Sequence, residues 1–116
     1  MKNIFGILLF SLFSFSASAE LVFAHINEPI MPIDRGEKYE DPLDDFLQEN
    51  EIGEVTGGGS SLTELGDIEW VGIDIQLKSP HENIAKVVRK LRELGAPNGS
   101  YLEYSVQGKS YKVPVK

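Results

Sequence analysis

Val71, Ile73, Ile75 and Leu77 stand at strict alternate positions, and a break at Ser79-Pro80 leads straight into Ile84, Val87, Val88, Leu91 and Leu94 at helical spacing. A period of two puts the first four side chains on one face of a strand. The second set forms one stripe along a helix. A strand with one apolar face and a helix with one apolar stripe, joined by almost no linker, have to cover each other. The chain is thereby committed to an α+β layer structure.

Other elements follow from similar signals. Leu21 to Ile26 is apolar on both faces, as a central strand is. Asp41-Pro42 reads as a helix start, with Leu43, Phe46 and Leu47 on one face and an end near Asn50. Glu51 to Thr56 is expected as a second strand, and Gly57-Gly58-Gly59-Ser60-Ser61 as a flexible loop. Ser79, Pro80 and Glu82 have the spacing of a capping box, and Gly95 followed by Pro97 closes that helix. Tyr101 to Val106 is a fourth strand, Gln107-Gly108 a tight turn, and Tyr111 to Val115 a last strand confined to an edge by Pro114. Residues 27–40 hold Pro29, Pro32 and Gly36 among many charges and are expected to form a long polar loop. The order predicts a ferredoxin-like (split βαβ) two-layer sandwich, an antiparallel sheet with both helices on one face, plus a C-terminal hairpin strand.

The N-terminus has a separate meaning. Lys2, an apolar run from Ile4 to Phe15 and the small residues Ala17-Ser18-Ala19 read as a secretory signal cleaved before Glu20, too short for a stable membrane anchor. The expected product is one small domain, residues 20–116, exported and periplasmic. Removing Lys2 leaves 18 acidic against 10 basic residues, a net charge of −8. Such a surface disfavours nucleic acid, which is bound by releasing counterions to clustered Lys and Arg, and it favours a basic protein partner. There is no cysteine. Disulfides, thiolate metal sites and a thiol nucleophile are excluded.

The segments Gly53-Glu54-Val55-Thr56-Gly57-Gly58-Gly59-Ser60, Gly66-Asp67-Ile68-Glu69 and Leu94-Gly95-Ala96-Pro97-Asn98-Gly99-Ser100 resemble those of a group of short bacterial proteins. The resemblance covers roughly residues 41–105 and implies a similar small α+β domain, with no catalytic residues to carry over. In size, export and acidity the chain also resembles immunity proteins that neutralise toxins.

Candidate sites are few. No nucleophile elbow or S-x-x-K pairing is present, so no catalytic residue is assigned. The Gly57–Gly59 run lacks the helix start and lysine of a phosphate loop. Asp41, Asp44 and Asp45, with Glu40, are oxygen donors, but a helix dipole accounts for acids in a first turn, and no metal or other cofactor is assigned. His25 and His81 are the only imidazoles. Trp70 falls on the strand face opposite Val71, with Gly72 and Asp74 beside it. Trp70, Asp74 and Glu54 are the expected partner-binding residues, Trp70 as an aromatic anchor, unless the 27–40 segment folds across and covers it. The expected function is a non-enzymatic binding protein of inhibitory or immunity type. A periplasmic small-ligand or metal-binding accessory protein is the alternative.

Overall fold

The computed structural model describes residues 19–116. The expected signal segment lies outside these residues but for Ala19, which opens the first strand. Among the described residues five strands form one sheet: β1 (Ala19–Ile26), β2 (Gly53–Leu62), β3 (Ile68–Lys78), β4 (Tyr101–Val106) and β5 (Lys109–Pro114). Their spatial order is β2-β3-β1-β4-β5, with every neighbouring pair antiparallel. Three helices accompany them: the single-turn α1 (Pro32–Arg35), then α2 (Asp41–Glu49) and α3 (Pro80–Glu93). The α+β class is as expected, and β1 is central. The element order, βααββαββ, is not the βαββαβ of a ferredoxin-like fold. A fifth strand widens the sheet, and the first crossover, irregular over residues 27–31, is helical from Pro32 to Glu49.

That crossover corrects the expected 27–40 loop. Pro32 stands at the first turn of α1, where its missing N–H costs nothing, so it starts a helix instead of preventing one. A π-helical turn, Gly36–Glu40, then runs directly into α2, and the amide of Asp41 donates to the carbonyl of Gly36. Asp41 is therefore an interior helical residue, not a cap. Pro42 cannot donate to the ladder, and the π turn just before it shifts the hydrogen-bond pattern there. Tyr39 anchors the segment, fully buried, with its hydroxyl donating to Glu28 at 2.5 Å while Lys38 reaches the same carboxylate at 3.0 Å. Burial and the Glu28 carboxylate push the Tyr39 hydroxyl far up. Burial alone would raise the Glu28 carboxyl, but the hydrogen bonds from Tyr39 and Lys38 outweigh it and hold it below the usual range.

The second correction is β2, which continues through the whole glycine run to Leu62, with a bulge between Val55 and Gly57 and a second register shift between Ser61 and Leu62. Backbone pairing with β3 holds these residues in a strand that their side chains do not advertise. Gly58 turns toward the helical layer, where a Cβ would fall 2.2 Å from Glu40 Oε2. Its missing side chain makes room for the Arg35–Glu40 ion pair, 2.6 Å between Nε and Oε2.

The core lies between the sheet and the helices. Val71, Ile73, Ile75 and Leu77 are all fully buried, as their alternation predicts, against Val22, Ala24 and Ile26 of β1, Leu43 and Leu47 of α2, and Val87 and Leu91 of α3. The β4–β5 turn has both Gln107 and Gly108 at positive φ, the mirror-image turn that suits a two-residue hairpin.

Ser79 does not act as expected. Its side chain makes no capping bond, and its backbone sits in the left-handed region at φ 41°. The start of α3 is secured instead by Asn83, whose amide donates to the Lys78 carbonyl at 2.6 Å. Ser79→Gly is expected to stabilise the domain by about 0.5–1 kcal/mol by relieving that conformation. A higher urea midpoint at unchanged slope is the expected reading.

Candidate functional site

Alternation sends the remaining side chains of the sheet to the face that no helix covers. On β1 these are Leu21, Phe23 and His25; on β3, Trp70, Gly72, Asp74 and Gln76. Tyr101 and Glu103 of β4 and Lys112 of β5 complete the surface. The 27–40 segment packs on the opposite face, through Tyr39 in the core and Arg35 beside Gly58 and Ser60. It therefore does not cover Trp70.

Four strands together build an aromatic ladder. The Trp70 and His25 ring centroids are 4.2 Å apart, His25 stacks on Tyr101 at 4.4 Å and 10°, and Lys112 Nζ lies 4.1 Å from the centre of the Tyr101 ring. Phe23 meets Trp70 edge to face at 6.2 Å. Each contact follows from register, since His25 pairs with Tyr101 on one side and with Gly72, two residues from Trp70, on the other. Gly72 is needed here, because a Cβ would lie 2.6 Å from the Phe23 ring.

His25 is the unusual member. It is held between two aromatic faces, and its Nδ1 is buried with no hydrogen-bond partner. Burial, and next the Lys112 charge, push its pKa below the ordinary 6.5, with Glu103 opposing them. A protonated ring would place an unanswered N–H donor and a charge in this stack. The unfolded chain therefore binds the proton more readily, so this contribution to stability is intact above about pH 6.5 and is lost as pH falls below it. His25→Phe is expected to flatten the fall in melting temperature between neutral pH and about pH 5.5. Identical slopes in the two proteins would show that His25 does not carry the effect. Titration of Glu28 belongs to a lower range, where stability is lost as pH falls below 4.5.

Beside the ladder, β2 and β3 form a shallow groove of about 390 Å³. Along β3 the positions run Trp70, Gly72, Asp74, and along β2, opposite them, Ser61, Gly59, Gly57. The middle of this array has no side chain at all. Asp74 makes no ion pair or side-chain hydrogen bond among the described residues, and its Oδ2 would lie 3.4 Å from a Cβ on Gly57.

Two of the three expected binding residues, Trp70 and Asp74, thus meet at one groove. Glu54 stands opposite Gln76, on the far side of the β2 bulge, and does not line it. Phe23, Tyr101 and Lys112 were not singled out by the sequence; Gly59 was weighed only within the Gly57–Gly59 run as a phosphate loop, and His25 only as an imidazole. The signal available for Phe23 and His25 was their own alternation with Val22, Ala24 and Ile26.

Asp44, Glu40 and His81 have structural partners. Asp44 accepts the Val55 amide at 2.8 Å and Gln48 at 2.9 Å, and Glu40 holds Arg35. No group of three metal-ligating side chains occurs among the described residues. His81 Nδ1 lies 3.0 Å from the Tyr104 hydroxyl, on the helical side of the sheet, with its ring edge to face on Tyr111. Burial, and next Tyr111, raise the Tyr104 hydroxyl above its usual range. No helix among the described residues is long and apolar enough to cross a membrane. Neither a family model, nor a curated protein, nor a solved structure matches this chain.

Proposed function

We propose that this chain is a small exported, non-enzymatic binding protein that engages a cationic protein partner through the open face of its sheet, in the manner of proteins that neutralise a toxin or enzyme. The observation that carries the reading is the uncovered Trp70–His25–Tyr101 ladder with Phe23 beside it. Rigid aromatics bury large areas at small entropic loss, and such residues dominate interface energies. Asp74 and Glu103 flank the ladder, and the excess of acid over base favours a basic partner through faster, salt-sensitive association. A small planar ligand stacked on Trp70 is the second reading, favoured by the groove between β2 and β3.

The test begins with capture of a partner from the host's envelope fraction on immobilised protein. The purified partner is then titrated against wild type, Trp70→Ala and Tyr101→Ala. Each substitution is expected to weaken binding by about 2 kcal/mol or more while leaving a folded protein. Binding that survives both substitutions but is lost when Lys86 and Arg89 on α3 are replaced would move the interface to the helical face and refute the reading.

A further inference from the structure

Gly59 has no packing reason to be glycine. A Cβ built there meets nothing within 4 Å, and its φ is not positive, whereas Gly58 is required by Glu40 and Gly72 by Phe23. A glycine facing a glycine, Gly59 opposite Gly72, weakens a β-ladder because neither contributes a cross-strand contact. What the pair creates is a bare floor between an indole at one end and a free carboxylate at the other. Strand geometry separates Trp70 and Asp74 by roughly 13 Å along β3. An arginine or lysine side chain laid over that floor would rest its stem on the aromatic wall of Phe23 and Trp70 and bring its charge to Asp74.

The floor also adjoins an open edge. β2 ends the sheet, and no strand pairs with its outer side among the described residues. Near the bulge that edge is closed, since the Val55 amide donates to Asp44. Beyond the bulge, Gly57 to Leu62 carry few side chains that would hinder another backbone. An extended segment added there would project alternate side chains over the open face, beside Gly59.

We infer that β2 is the docking edge for an extended cationic segment of the partner, which pairs with Gly57–Leu62 and lays an arginine or lysine across Gly59 and Gly72 between Trp70 and Asp74. This rests on the reading of the open face as the partner surface and specifies how a basic protein is recognised there. The acidity of the chain and the unpaired Asp74 supply the complementary charge.

Trp70 is the sole tryptophan of the chain and reports on the groove directly. Purified protein is titrated with a short blocked peptide alternating threonine and arginine. The controls carry glutamine or glutamate for arginine, or N-methyl groups on alternate amides. The arginine peptide is expected to shift the Trp70 emission saturably and to bind about tenfold tighter than the glutamine peptide, a difference that Asp74→Asn removes. The N-methylated peptide and Gly59→Leu should each abolish the shift, with the melting temperature of Gly59→Leu no lower than wild type. Equal binding of arginine and glutamine peptides, or no effect of Asp74→Asn, overturns the inference. So does a dimer that Gly59→Leu dissociates, since the occupant would then be a second copy. Partner binding that depends on Trp70 and Tyr101 but is indifferent to Gly59→Leu removes the β2 edge while leaving the open-face reading intact.

Discussion

Gly53→Ala is expected to destabilise the domain by about 3 kcal/mol, a large share of what a chain of this size has to lose. A Cβ at this position would stand 2.2 Å from the carbonyl oxygen of Gln76 and 3.2 Å from the Leu77 Cα. Both are backbone atoms near the C-terminal end of β3, so neither moves aside as a flexible side-chain end would. Gly53 faces Leu77 in the ladder, and the adjoining carbonyl of Ile52 accepts the amide of Lys78 at 2.8 Å. Relief of the clash therefore requires β2 to separate from β3 at the point where the chain enters the sheet. Gly59→Ala, on the same strand, meets open space and removes backbone freedom from the unfolded chain, so it is expected to change stability by no more than about 1 kcal/mol and in the favourable direction. Urea unfolding of the two variants measures the contrast. Equal midpoints would mean that β2 does not approach β3 as closely at Gly53 as described.

The same strand shows why parts of the architecture were legible in the sequence and parts were not. β3 announced itself because a buried face and an open face alternate along it, and α3 because its stripe lies against that buried face. β2 carries five glycine and serine residues in succession, Gly57 to Ser61, and so has no alternation to read. Its extended conformation is imposed by its neighbour. The Pro32–Glu40 stretch failed for a different reason: one aromatic, Tyr39, provides nearly all of its burial, and a single anchor sets no period. The capping pattern at Ser79 was misleading because Asn83, a residue further on, reaches the Lys78 carbonyl while the serine backbone turns left-handed.

The candidate site divides along the same line. Trp70 and Asp74 could be placed on the open face from the period of β3 alone. The partners that make Trp70 a ladder lie on β1 and β4, and only the pairing of His25 with Tyr101 and Gly72 brings them together. The alternative in which the 27–40 segment covers Trp70 fell with the loop itself, since a helical segment anchored by Tyr39 has to lie in the helical layer.

Ile73→Ala and Trp70→Ala should have opposite phenotypes, although both residues stand on β3. Ile73 is fully buried, and its truncation leaves a cavity bounded by side chains of both layers; the expected loss is about 2–5 kcal/mol of stability with no direct effect on recognition. Trp70 is only partly buried, and the contacts it gives up are the His25 ring at 4.2 Å and the Phe23 ring at 6.2 Å, on a face that solvent already reaches. Its truncation should cost about 1 kcal/mol of stability, the scale of an aromatic pair. The penalty should fall instead on partner binding, where removal of a central aromatic anchor is worth about 2 kcal/mol or more. Thermal melts of both variants, combined with titration of the captured partner, separate the two effects. A Trp70→Ala protein that unfolds while Ile73→Ala remains stable would invert the sheet, making the aromatic face the core and the aliphatic row the surface.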